Sequence, residues 1–122
     1  MADSKFLDSS VWLDYFINGK HKEIIESDSN LFTSILSIFE TKKKLLKINY
    51  EVNDVNKALA FLKRRSLIVP LNIEIIEKAV DISLKHKLAT IDSLIYSSSM
   101  SQSTKFLTLD RDFTNLPEAV IL

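Results

Sequence analysis

Hydrophobic positions along the chain alternate between short unbroken runs and helical spacing. Lys5 to Asp8, KFLD, is a brief apolar run that stops at an acid, and SSVWLDYF follows with apolar residues at helical intervals, so the pattern predicts a strand feeding a helix. Asn30 to Ser34 repeats this arrangement, with LFT strand-like and Ser34 placed to cap a helix through ILSIFETKKKLLK. On that helix Ile35, Ile38, Phe39, Lys42, Leu45 and Leu46 share a stripe, and Glu40 lies beside it. A second helix is predicted from Val52 to Arg65, then a strand near Leu67 to Leu71, where Pro70 favours an edge or an end. Asn72 opens the clearest amphipathic pattern in the chain, with Ile73, Ile76, Val80 and Leu84 on one side and Glu74, Glu77, Asp81 and Lys85 on the other. Thr90 resembles an N-cap that puts Asp92 in a first turn, where the helix dipole favours a carboxylate. Lys105 to Asp110, KFLTLD, again ends an apolar run in an acid, and the closing AVIL supplies a last short strand.

Strands separated by helical segments imply βαβ units and a parallel sheet covered on both faces, an α/β fold. With 122 residues, 46% of them hydrophobic, the expectation is one domain over 1–122 with a core of its own. The chain has no cysteine, which excludes disulfides, thiolate metal sites and cysteine nucleophiles. Its single glycine, Gly19, removes glycine-rich dinucleotide and phosphate loops. No apolar run approaches the roughly 18 residues of a membrane span, and acidic residues precede the first apolar stretch, so a soluble cytoplasmic protein is expected.

Sixteen basic and sixteen acidic side chains cancel, so no overall positive field advertises a nucleic-acid partner. The lysines are nonetheless clustered, at Lys42, Lys43, Lys44 and Lys47 and again at Lys63, Arg64 and Arg65, where they suit either a solvated helix face or phosphates.

The candidate chemistry lies in the acids. Ligands of open parallel sheets bind at the carboxyl ends of strands, and Asp8 and Asp110 each close an apolar strand there without any need of folding for an acid. Asp92 alone reads equally as a favourable first-turn carboxylate, Glu40 alone as a solvated one, and Asp112 as a ligand or a turn residue. Four carboxylates gathered at one sheet edge repel each other unless a cation offsets them, and an oxygen-only set suits Mg²⁺ or Mn²⁺. Such an ion provides what phosphodiester hydrolysis requires without a histidine or lysine base. His21 and His86 have no helical HxxxH partner and read as surface residues. Ser9, Ser10 and Thr108 flank the strand-end acids, where they either orient carboxylates or satisfy turn backbone. Trp12, Tyr15 and Phe16 suit the core or a dimer interface better than base stacking.

Taken in order, FLDSSVWLDYF, SILSIFE, ATIDSLIY and FLTLDRDF resemble the PIN-domain family over nearly the whole chain. The resemblance implies a PIN-domain-like three-layer fold, with a central parallel sheet of about five short strands and helices on both faces. It implies Asp8, Glu40, Asp92 and Asp110 as the catalytic, metal-holding acids, Asp112 as a further ligand, and Mg²⁺ or Mn²⁺ as cofactor. Small PIN proteins resemble VapC-type toxins of toxin–antitoxin pairs, which implies a metal-dependent endoribonuclease with a cognate antitoxin and a homodimeric assembly. The alternative is a catalytically silent PIN-fold module that binds RNA or an antitoxin. A phospho-acceptor receiver domain fits poorly, because the helices around Glu40 and over Val52 to Arg65 follow one another without a strand between them.

Overall fold

The computed structural model describes residues 3–122. Five parallel strands, β1 (Ser4–Leu7), β2 (Asn30–Ser34), β3 (Ser66–Val69), β4 (Lys105–Thr108) and β5 (Ala119–Ile121), form one sheet in the order β3-β2-β1-β4-β5. Helices α1 (Ser9–Asn18) and α2 (Lys22–Ile25) connect β1 to β2, α3 (Ile35–Lys47) and α4 (Val52–Arg65) connect β2 to β3, and α5 (Ile73–His86) and α6 (Thr90–Ser101) connect β3 to β4. The chain builds outward from β1 through β2 to β3, then returns to the other side of β1. That reversal opens a crevice between the carboxyl ends of β1 and β4, the place where open α/β sheets bind ligands.

Alternation along the strands divides the core between the two faces. Phe6 pairs with Phe106 in register and both turn toward α5 and α6, joining Ile75, Ile95, Tyr96 and Phe113. Leu7 and Leu107 turn the opposite way, toward Val11, Trp12, Ile25 and Leu62 of α1, α2 and α4. A smaller cluster of Leu45, Val55 and Leu59 locks α3 to α4. The Trp12 ring is fully buried, and its indole N–H donates to Thr33 Oγ1 at 3.2 Å, which itself donates to the Leu7 carbonyl at 2.8 Å. This chain of bonds satisfies the polar handle that burial would otherwise leave costly. Trp12 is thus a core residue, and the partly buried Tyr15 and Phe16 meet Phe61, Tyr15 stacked on its ring and Phe16 edge-on.

Three helices differ from their sequence pattern. The buried stripe of α3 runs through Ser37, Thr41 and Leu45, whereas Ile35, Phe39 and Leu46 are exposed. Small side chains at Ser37 and Thr41 lie in the buried stripe beside Leu45, with Leu36 and Ile38 partly buried at its margins. Helix α5 buries Ile75 and Ala79, while Ile73, Ile76, Val80 and Leu84 face outward at 45–77% exposure. The residue before α6 is Ala89, so Thr90 is its first residue and not its cap, although Asp92 does fall in the first turn. The caps at Ser34 and Asn72 form as expected, with the side chains accepting from the Leu36 and Ile75 amides.

Arg65 ends α4 by donating to the carbonyls of Ile25, Ser27 and Ser29, which pins the loop before β2 and removes this residue from any phosphate-facing role. His21 is also not a free surface residue, because its ring nitrogen lies 2.7 Å from an Asp14 carboxylate oxygen and its side chain is 13% exposed. Among the described residues, no helix is long and apolar enough to cross a membrane.

Candidate metal centre

Every acid singled out in the sequence except Glu40 sits where a strand ends or a helix begins, and the fold converges these positions on the β1–β4 crevice. Asp8 follows β1 directly and serves as N-cap of α1, in extended backbone geometry. It is 5% exposed. Its carboxylate accepts from the Ser9 amide at 2.9 Å, the Ser10 hydroxyl at 2.9 Å and the Thr108 hydroxyl at 2.7 Å, while its own amide donates to the Leu107 carbonyl at 3.0 Å. These bonds fix the carboxylate and compensate part of its desolvation.

Asp110 closes the same crevice from β4. Its amide donates to Thr108 Oγ1 at 3.0 Å, and its Oδ1 accepts from the Asp112 amide at 2.9 Å, capping the short 3₁₀ turn Arg111–Phe113. The fully buried Phe113 ring anchors that turn, which holds Asp112 beside Asp110. Carboxylate oxygens of Asp92, Asp110 and Asp112 come within 4.8 Å of one another, a spacing one cation can bridge.

Asp8 and Glu40 lie outside that closest group but adjoin it. Glu40 reaches in from α3, and its Oε1 accepts from the Ser9 hydroxyl at 2.8 Å. One serine therefore ties the two acids together: its amide holds Asp8 and its hydroxyl holds Glu40. The sequence marks Ser9 as adjacent to a strand-end acid, but a bond spanning 31 residues leaves no local signal. Ser10 and Thr108 behave as carboxylate-orienting groups, and Ser10 also accepts from the Leu109 amide at 3.0 Å.

The electrostatics show like charges forced together. Burial pushes the Asp8 carboxyl above its ordinary value, with Asp110 adding to the shift against the three hydrogen bonds. Glu40 is raised by burial too, and by Asp8 and Asp110, while the Ser9 hydroxyl opposes. Asp92 is pushed up to about 6, first by burial and then by Asp110, Asp8, Glu40 and Asp112. No lysine or arginine contributes to any of these shifts, so the charge is uncompensated by protein cations.

An oxygen-only donor set with excess negative charge fits a hard divalent cation such as Mg²⁺ or Mn²⁺. Asp92, Asp110 and Asp112 are placed to hold it directly, with Asp8 and Glu40 alongside. The centre is an open crevice and not an enclosed cavity. A hollow of about 610 Å³ between the start of α5 and the end of α6 is lined by none of these acids. Glu40 instead borders a groove of about 320 Å³ between α3 and α6.

The PIN domain family profile matches residues 5–119. Among curated proteins none matches the sequence. Solved structures give a close likeness of fold. A toxin–antitoxin complex from Klebsiella pneumoniae superposes with a TM-score of 0.77 at 18% identity, covering 95% of each chain. VapBC2 from Rickettsia felis, bound to a DNA fragment from its promoter, gives 0.78 at 12% identity, over 98% of this chain and 97% of that one. VapC20 from Mycobacterium tuberculosis, a toxin that cleaves the sarcin–ricin loop, gives 0.72 at 15% identity, over 93% and 95%.

Proposed function

The chain belongs to the PIN-domain family, and from that premise we propose that it is a divalent-metal-dependent endoribonuclease, the toxin of a VapBC-type pair acting in the cytoplasm. The observation that carries this reading is the approach of the Asp92, Asp110 and Asp112 carboxylates to within 4.8 Å, in a crevice whose surplus charge no protein cation offsets. A bound Mg²⁺ or Mn²⁺ supplies Lewis-acid chemistry, polarising a phosphoryl oxygen and making water a better nucleophile.

The residues divide the remaining work. Asp92, Asp110 and Asp112 hold the ion. Asp8, immobilised by Ser9, Ser10 and Thr108, fixes one wall of the crevice, so that little reorganisation accompanies binding. Glu40, kept in place by Ser9, carries a raised affinity for protons and is the group placed to take one from an attacking water. No histidine takes part, since His21 is engaged by Asp14 and His86 lies at the far end of α5.

The toxin assignment draws support from proteins of the same fold, among them toxin–antitoxin complexes and a toxin that cleaves the sarcin–ricin loop. A cognate antitoxin is therefore the proposed protein partner. A homodimer is proposed as well, with the outward stripe Ile73, Ile76, Val80 and Leu84 of α5 as the surface that a second copy covers.

Metal-dependent turnover tests the nuclease reading. The purified chain is expected to cut a labelled RNA pool in Mg²⁺ or Mn²⁺ and to stop in EDTA. Equal cutting in EDTA would contradict it.

A further inference from the structure

The groove beside Glu40 runs along α3 and is bounded by α6. Phe39, Glu40, Lys43, Lys44, Lys47 and Ile91 line it. Lys43, Lys44 and Lys47 recur over one turn of α3 and are all exposed. Among the described residues none of the three forms an ion pair. Lys43 Nζ stands 5.6 Å from the centroid of the Phe39 ring, which is 64% exposed for an aromatic side chain on the outer surface. Glu40 is the one acid of the groove and also a member of the acidic centre, so the groove opens onto the metal crevice.

Like charges one turn apart repel by a few tenths of a kcal/mol per pair; the C-terminal end of the α3 dipole offsets this at Lys44 and Lys47, and a bound anion would relieve it along the whole row. An apolar protein surface laid over the groove would bury three ammonium groups without counter-charges. A polyanion reverses both effects, and an exposed aromatic ring beside a basic groove is how proteins hold an unpaired base next to its phosphates. We propose that the α3–α6 groove is the binding track for the single-stranded RNA that flanks the scissile bond. Lys43, Lys44 and Lys47 meet successive phosphates, and the Phe39 ring stacks one base. The proposal rests on the nuclease reading and adds to it the path by which substrate reaches the acids.

The test measures binding of a labelled single-stranded RNA of roughly 12 nucleotides over a range of salt, using the full chain carrying Asp110→Asn so that the RNA stays intact. Adding Lys43→Ala, Lys44→Ala and Lys47→Ala together should weaken binding and reduce the slope of log affinity against log salt by about 2, from 0.7 per phosphate contact. Phe39→Ala should weaken binding roughly tenfold while leaving that slope unchanged. Lys63→Ala, on α4, should alter neither. In the Asp110 wild-type background, the triple lysine variant should raise KM for RNA with little change in kcat.

An unchanged affinity and slope in the triple variant would overturn the track, even if metal-dependent cleavage were intact. A fall in molar mass of the Phe39→Ala chain with RNA affinity unchanged would also overturn it, assigning the groove to a second copy. Failure of the nuclease reading shows elsewhere, as cleavage that survives EDTA, and is thereby distinguished from failure of the track.

Discussion

Single residues in this protein are under tension that the fold imposes and a ligand can release. Asp92 shows it most plainly, since burial and four neighbouring carboxylates push its pKa from 3.8 to about 6. A carboxyl whose folded pKa is raised binds protons more tightly in the folded state. Its contribution to stability is fully present below 3.8 and is lost as pH rises through about 6. Asp8 and Glu40 are shifted in the same direction. The difference in melting temperature between the metal-free wild type and Asp92→Asn should therefore turn against the wild type as pH rises across this window, with added Mg²⁺ narrowing it. A difference that is flat with pH, or that grows in favour of the wild type, would remove the electrostatic basis of the site. At this scale much was legible in the sequence. Asp8 and Asp110 stand out in the sequence because each ends an apolar strand in an acid, although the structure also gives each a folding role, as the N-cap of the turn that follows. The Ser9 bridge to Glu40 was not legible, because it depends on how closely α3 approaches the start of α1.

Elements were legible where a local physical rule governs them. The span of α4 and the caps at Ser34 and Asn72 follow from helical periodicity and capping chemistry, and each appears as expected. The four-residue helix α2 is too short to carry a periodic signal of its own; Arg65, bonded to the carbonyl of its last residue, Ile25, secures its end. Amphipathicity misled for α3 and α5, because the pattern identifies an apolar face without saying what covers it. On α5 that face is open at Ile73, Ile76, Val80 and Leu84. If a second copy covers it, Val80→Glu should convert a dimer to a monomer in light scattering at micromolar concentration without lowering the melting temperature of the monomer, since Val80 is 53% exposed in the single chain. A wild type that is already monomeric, or a variant of unchanged mass, would leave the stripe without this partner.

At the scale of the whole molecule, function follows from topology. The chain reverses direction across the sheet once, between β1 and β4, and that reversal creates the crevice to which β1, α6 and β4 deliver Asp8, Asp92 and Asp110. A five-stranded sheet in the order β3-β2-β1-β4-β5 was only partly legible, since strand and helix alternation predicts a parallel sheet but not which strands are neighbours. The neutral net charge conceals an acidic crevice beside a basic groove, which is the distribution a metal-dependent nuclease of polyanions needs. The most direct test of the account is RNA cleavage in Mg²⁺ by Asp8→Asn, compared with wild type after matching their circular dichroism and melting curves. Asn preserves the size of this buried cap and its bond from the Ser9 amide, while removing the charge and the second oxygen that accepts from Ser10 and Thr108; the account predicts a folded protein whose cleavage falls by about a hundredfold or more, the scale seen when a preorganised electrostatic group is removed. A folded variant that cuts RNA at the wild-type rate would contradict it.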